Sequence, residues 1–169
     1  MGKGIEARLN TTSAVSPAAT TQRALLVVLV AWLLAGTLDI ATAVLYYLGP
    51  SSARAARLLK GIASGVLGPR AFDGGAATAL LGLALHYLIA LIWTVVFVVA
   101  FRSLGALRRH LVLTGIAYGI IVWLVMNLAV LPLSNVSRGP FELRAAVIAA
   151  IILILCIGLP ISLVIGRYL

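Results

Sequence analysis

The chain has 169 residues, of which 63% are hydrophobic and only 10% are charged, and its mean hydropathy is +1.16. Soluble domains average about 45–50% apolar and about 25% charged residues, so this composition excludes a soluble globular protein and predicts an integral membrane protein. The net charge is +9, and the cations fall between the apolar stretches, where they set topology and meet lipid head groups. We therefore expect membrane lipids as partners and no nucleic acid.

The apolar stretches predict an all-α fold, a bundle of four transmembrane helices. Each stretch reaches the roughly 20 residues that a bilayer requires. The N-terminal residues are polar and lack apolar periodicity, which predicts a mobile tail. The predicted parts are a tail at 1–23 and a single transmembrane domain at 24–169, with spans at 24–48, 76–101, 111–133 and 145–166.

A short amphipathic segment, residues 53–68, lies between the first two spans. Its apolar part is too short to cross a bilayer, so we expect it to lie in the membrane interface or to enter the membrane and return. Gly61 and Gly65, four residues apart, predict close packing of this segment on another helix. Three cations at three-residue spacing form the other face and are predicted to contact lipid head groups: Arg54, Arg57 and Lys60.

Three polar residues are predicted to form a cluster inside the membrane. Helical rise places Asp39 about 13 Å, His86 about 15 Å and Asn127 about 9 Å from the same side of the bundle. Tyr46 and Tyr47 fall nearer that surface and are candidates for the rim of a polar pocket. An ionisable residue within a membrane span is a candidate functional residue because it is costly to bury unpaired.

The cluster admits three interpretations. Asp39 and His86 can form a buried pair that sets helix register, with Asn127 bonding across the bundle. A carboxylate beside an imidazole can instead relay protons or cations. The third possibility is a pocket for a small molecule or a lipid.

Catalytic and cofactor sites are not indicated by the sequence. The other histidine, His110, falls in the opposite connection, which argues against bis-histidine haem ligation. Asp39 and His86 supply two ligands where a zinc site needs three or four. No Ser-His-acid order, paired acids, phosphate-binding loop or dinucleotide-binding motif is evident. We therefore expect no cofactor, no metal and no enzymatic activity.

Small residues recur at three- or four-residue spacing in the spans and predict close helix contacts, either within the bundle or with a partner. This pattern favours an accessory subunit of a larger membrane complex, or a homo-oligomer, as the leading functional hypothesis. The alternatives are a small transporter or channel using Asp39 and His86, and a lipid-binding or lipid-modifying protein. In the fourth span, Gly158-Leu159-Pro160 predicts a bend or a local opening of the helix.

Six short motifs distributed over the spans and connections are informative: Gly36-Thr37-Leu38-Asp39, Ile62-Ala63-Ser64-Gly65, Phe72-Asp73-Gly74-Gly75, Leu81-Gly82-Leu83-Ala84-Leu85-His86, Met126-Asn127 and Leu131-Pro132-Leu133-Ser134. In these motifs the chain resembles small four-span bacterial inner-membrane proteins of unknown function. This resemblance implies a bacterial inner membrane and brings no activity, substrate or cofactor with it. Four spans place both termini on one side, and the short Arg-rich connection between the second and third spans favours the cytoplasmic side.

Overall fold

The computed structural model describes residues 17–48, 52–136 and 139–169, and within these ranges the fold is helical without strands. Four helices are long and apolar enough to cross a membrane, and a shorter helix joins the first two, as the sequence predicts. The helices are α1 (Pro17–Leu48), α2 (Ser52–Leu67), α3 (Ala76–Ser103), α4 (Leu111–Leu133) and α5 (Leu143–Tyr168).

Helix α1 begins at Pro17, seven residues before the predicted start of the first span. Proline is favourable in the first turn of a helix, where its missing N–H leaves no intrahelical bond unmade. The apolar pattern used for the prediction does not detect a polar helical extension, and the stretch suited to the membrane is Thr20–Tyr46. Residues 17–23 of the predicted tail are therefore helical, whereas residues 1–16 lie outside the described residues.

Helix α2 is one continuous helix that lies over one end of the bundle and is followed by a 3₁₀ turn at Gly68–Phe72. It packs on α3 where Gly82 meets the backbone of Leu59, and any Cβ at Gly82 would collide with the Leu59 carbonyl. Near its far end, the backbone N–H of Asn135 donates to the carbonyl of Gly65 at 3.1 Å. Helix α2 thus connects α3 to the chain just beyond α4.

The predicted role of Gly61 in close helix packing is wrong. A Cβ built on Gly61 would have no atom within 4 Å, whereas one built on Gly65 would make ordinary contact with Ser134 and Val136. The close approach between α2 and α3 depends instead on the glycine of α3. The sequence did not predict this because a Gly-x-x-x-Gly pair identifies a smooth helix face without identifying what faces it.

The core fills the half of the bundle that contains the start of α1 and the end of α5. Its members include Phe97 at 1% exposure and Ile161 and Ile165 at 0%. Polar side chains here are satisfied by backbone carbonyls: the Ser162 hydroxyl donates to Leu111 at 2.8 Å, and the Tyr118 hydroxyl donates to Trp93. We call this region the packed half.

Helices α4 and α5 each contain a π-helical segment, at Met126–Val130 and Ile154–Gly158. Each segment ends two residues before a proline, Pro132 or Pro160, and the residue that precedes the proline donates its N–H to the carbonyl five residues earlier. A proline leaves one carbonyl of the preceding turn without a donor, and a wider turn adjusts the ladder around it. The predicted local opening near Gly158 is confirmed in this form.

Candidate functional site

A cavity of about 580 Å³ lies beneath α2 and borders the core, since Val122 and Ile157 belong to both. Small-molecule pockets in proteins commonly measure about 300–1,000 Å³. All five helices contribute to its lining, which is largely apolar. We call this region, from Asp39 and His86 to helix α2, the hollow half.

Helical periodicity determines which residues reach the cavity. Helix α2 contributes Arg57, Gly61 and Gly65 at four-residue spacing, and α3 contributes His86 and Trp93 at seven-residue spacing. Residues at these spacings share one face of an α-helix. Gly61 leaves room where any other residue would place a side chain, so this glycine helps to create the cavity.

Both π-helical segments border the cavity. Met126 and Val130 line it from the segment in α4, and Ile157 lines it from the segment in α5. A π-turn shifts the helix face that follows it, and such turns often occur at functional sites. The two proline-associated openings therefore shape the hollow half.

The structure brings Asp39 and His86 together in the cavity lining. The Nε2 of His86 lies 2.8 Å from the carbonyl of Gly36 on α1. Because a carbonyl only accepts, this nitrogen carries the proton and donates it, which leaves Nδ1 for another partner. The carboxylate of Asp39 interacts electrostatically with His86 across the α1–α3 contact.

The other predicted members of the cluster lie elsewhere. Asn127 donates from Nδ2 to the carbonyl of Trp123, one turn earlier in its own helix, at 2.9 Å, and it does not line the cavity. Tyr46 is 51% exposed and is likewise outside the cavity lining. Tyr47 belongs to α1, but its side chain lies outside the described residues. Similar depth therefore did not imply a shared site, since helix rotation also matters.

The three cations predicted to contact head groups differ in their surroundings. Arg54 and Arg57 are exposed, and Arg57 also lines the cavity. Lys60 donates from Nζ to the carbonyl of Phe72 at 3.3 Å, which ties the 3₁₀ turn to α2. Sequence reasoning missed that Arg57 reaches the cavity, although its four-residue spacing from Gly61 was a usable signal.

Two residues in the cavity lining have opposite formal charges: Asp39, which interacts electrostatically with His86, and Arg57, which is exposed. Within the described ranges, neither the Asp39 carboxylate nor the Arg57 guanidinium makes a hydrogen bond or an ion pair. The Ser134 hydroxyl, also in the lining, already donates to the carbonyl of Leu131 at 2.8 Å. A charge at Asp39 in this largely apolar lining is unfavourable unless it is paired or hydrated, whereas the exposed Arg57 can attract an anion at the surface.

The described part of the chain contains no group of three or more His, Cys, Asp or Glu side chains that could hold a metal ion. Asp39 and His86 offer a carboxylate and an imidazole nitrogen, which suit hydrogen bonding to an ammonium or a hydroxyl group.

The interpretation of the site is based on its own residues. The resemblance to small bacterial inner-membrane proteins stays a prediction. No protein-family model, curated protein or solved structure matches the chain.

Proposed function

We propose that this protein binds a membrane lipid, holding part of an acyl chain in the cavity, and that it catalyses no reaction. The observation that carries the proposal is an apolar cavity of about 580 Å³ inside a membrane bundle. Two of its lining residues, Phe72 and Val130, are 46% and 36% exposed, so the cavity extends to the surface. Lipid tails are as apolar as its side chains and can fill such a space favourably.

An accessory or oligomerising role has less support than lipid binding. Ala31 and Ala35 are 0% exposed, Gly82 contacts α2, and Gly119 contacts the backbone of Ile154. The small residues that suggested a partner are thus used for contacts within one chain. A role in a larger complex therefore needs support from other surfaces.

Transport of protons or a small solute is the second candidate function. The placement of Asp39 and His86 in one cavity favours it, since ionisable residues in spans often mark ion pathways. The packed half favours lipid binding over transport, because Phe97, Ile161 and Ile165 fill the far side of the bundle. Proteoliposome flux that is lost in Asp39→Asn and His86→Ala variants would move transport to first place.

We place the protein in a bacterial inner membrane, with the packed half facing the cytoplasm. The resemblance described above supports the compartment. Arg108 and Arg109 in the short connection between α3 and α4 support the orientation, because cytoplasmic loops are enriched in Lys and Arg. The cavity then opens toward the outer leaflet. Cysteine labelling of Ser103→Cys in intact cells, in a Cys156→Ala background, tests this orientation.

The Gly61→Leu variant tests lipid binding directly. The new side chain enters open space in the cavity, and leucine is a better helix former than glycine, so α2 itself is not weakened. We expect native mass spectrometry of wild-type protein in mild detergent to show a phospholipid-bound species. The Gly61→Leu variant should lose most of it because the side chain occupies the acyl-chain site.

Gly105→Leu is the matched control. A Cβ at Gly105 also meets no atom within 4 Å, but this glycine lies in the connection between α3 and α4, away from the cavity. We expect the control to retain lipid at the wild-type level. Equal lipid retention in Gly61→Leu and Gly105→Leu, or no bound lipid in the wild type, would refute the proposal.

A further inference from the structure

We infer that the preferred lipid is an aminophospholipid of the phosphatidylethanolamine class, with its phosphate at Arg57 and its ammonium at Asp39. This inference rests on the proposed function, because it assigns a head group to the lipid in the cavity. It adds a specificity that the apolar lining alone does not supply.

This inference is based on two charged residues in the cavity lining. Arg57 on α2 and Asp39 on α1 line the same cavity and have opposite formal charges. Neither makes an ion pair within the part of the chain that the structure describes. A ligand carrying one negative and one positive group can place each beside the residue of opposite charge in this lining.

The position of the two residues sets the order of the groups. Arg57 lies on α2, the exposed amphipathic helix, and is itself exposed, so it is available to a phosphate at the membrane interface. Asp39 lies deeper, about 13 Å from the end of α1 by helical rise. The ammonium group is thus directed inward toward the carboxylate.

His86 distinguishes a primary ammonium from other cations. Its Nε2 donates to the carbonyl of Gly36, which leaves Nδ1 as an acceptor in a ring that interacts electrostatically with Asp39. A primary ammonium has three N–H donors and can bond to both the carboxylate and the imidazole. A quaternary choline has the same charge but no N–H donor, so it satisfies neither acceptor by hydrogen bonding.

An anionic phospholipid is the other head group to weigh. Its phosphate can pair with Arg57, but it brings no positive charge to Asp39. The carboxylate then stays unpaired beside an added negative charge. The arrangement therefore favours the ethanolamine head group over both the glycerol and the choline head groups.

Competition between defined lipids tests the inference. Full-length protein is exchanged into mixed micelles with equal amounts of phosphatidylethanolamine, phosphatidylglycerol and phosphatidylcholine of identical acyl chains, and bound lipids are counted by native mass spectrometry. We expect the ethanolamine lipid to exceed each competitor about tenfold in wild-type protein, as one charge-assisted hydrogen bond supplies. Asp39→Asn should lower the amount of bound ethanolamine lipid and reduce this preference to about twofold or less, whereas Gly105→Leu should keep the wild-type preference.

The outcomes separate the two proposals. If wild-type protein binds all three lipids equally, or if Asp39→Asn keeps the ethanolamine preference, the head-group inference is wrong while lipid binding stands. If no lipid binds, the proposed function itself fails. Arg57→Gln offers a second readout: it should weaken binding of all three phospholipids, and unchanged binding would overturn the assignment of the phosphate.

Discussion

The packed half and the hollow half differ in how they treat polar side chains. In the packed half, Ser162 and Tyr118 donate to backbone carbonyls of neighbouring helices, and Phe97 fills the space between them. In the hollow half, Asp39 and Arg57 line a cavity and make no hydrogen bond among the described residues, although Asp39 interacts electrostatically with His86. Hydrogen-bonded polar groups hold helices together, whereas charged groups that line a cavity are available to a ligand. The packed half therefore maintains the fold, and the hollow half is where we propose that a lipid binds.

The largest expected effect is the loss of a packed side chain. Phe97→Ala removes a ring that is 1% exposed and stacks near Phe101, and we expect the free energy of unfolding to fall by about 3 kcal/mol because packing contacts are lost and a void remains. Ile89→Ala, in the cavity lining, should lower it by about 1 kcal/mol or less because it enlarges an existing space.

Reversible unfolding by titration of a denaturing detergent into mild-detergent micelles measures both free energies. Leu133→Ala, at a side chain that is 87% exposed, provides the baseline for a lipid-facing position. Equal losses for Phe97→Ala and Ile89→Ala would contradict the division of the bundle into two halves.

A smaller effect is expected where α2 packs on α3. Gly82→Leu forces the backbone of Leu59 away, and overpacking of this kind destabilises proteins by about 1–3 kcal/mol. Ala84→Leu adds the same side chain at an exposed position of the same helix and should leave the unfolding free energy nearly unchanged. Thermal unfolding monitored by circular dichroism compares them, and identical midpoints would mean that α2 does not pack as described.

The smallest expected changes in stability have opposite signs in the packed half and the hollow half. Ser162→Ala removes the hydrogen bond to Leu111 and should destabilise by about 0.6 kcal/mol, the typical value inside a membrane protein. In lipid-free protein, Asp39→Asn removes a carboxylate that makes no hydrogen bond among the described residues and should raise the thermal midpoint slightly. A clear loss of stability in Asp39→Asn would mean that the carboxylate is a structural contact.

The fold was largely predictable from the sequence, because apolar length alone identifies membrane spans. Depth along a helix could be estimated as well, and Asp39 and His86, which were predicted to be level, both line the cavity; that the two form a pair stays a prediction. The side of each helix that faces the cavity was not predictable, because the spans are apolar on nearly all sides. For this reason Asn127 was predicted to belong to the polar cluster, although it does not line the cavity. Pro160 signalled the opening in α5, whereas no opening was predicted near Pro132, where α4 also contains a π-helical segment.

The cavity itself could not have been predicted from residue types. It depends on Gly61 facing open space and on two π-turns that shift helix faces toward α2. Both features arise from contacts between distant segments, such as the bond from Asn135 to the carbonyl of Gly65. A sequence pattern shows which helix face carries small residues, whereas the fold determines whether another segment packs on that face.

The most direct test of lipid binding uses Trp93, which lines the cavity. A variant that keeps this tryptophan alone, carrying Trp32→Phe and Trp123→Phe, is loaded with phosphatidylethanolamine brominated in its acyl chains and is then washed into detergent. We predict that Trp93 fluorescence stays quenched after the wash and recovers when Gly61→Leu is added. Trp93 fluorescence that is the same with brominated and unbrominated lipid would contradict a lipid in the hollow half.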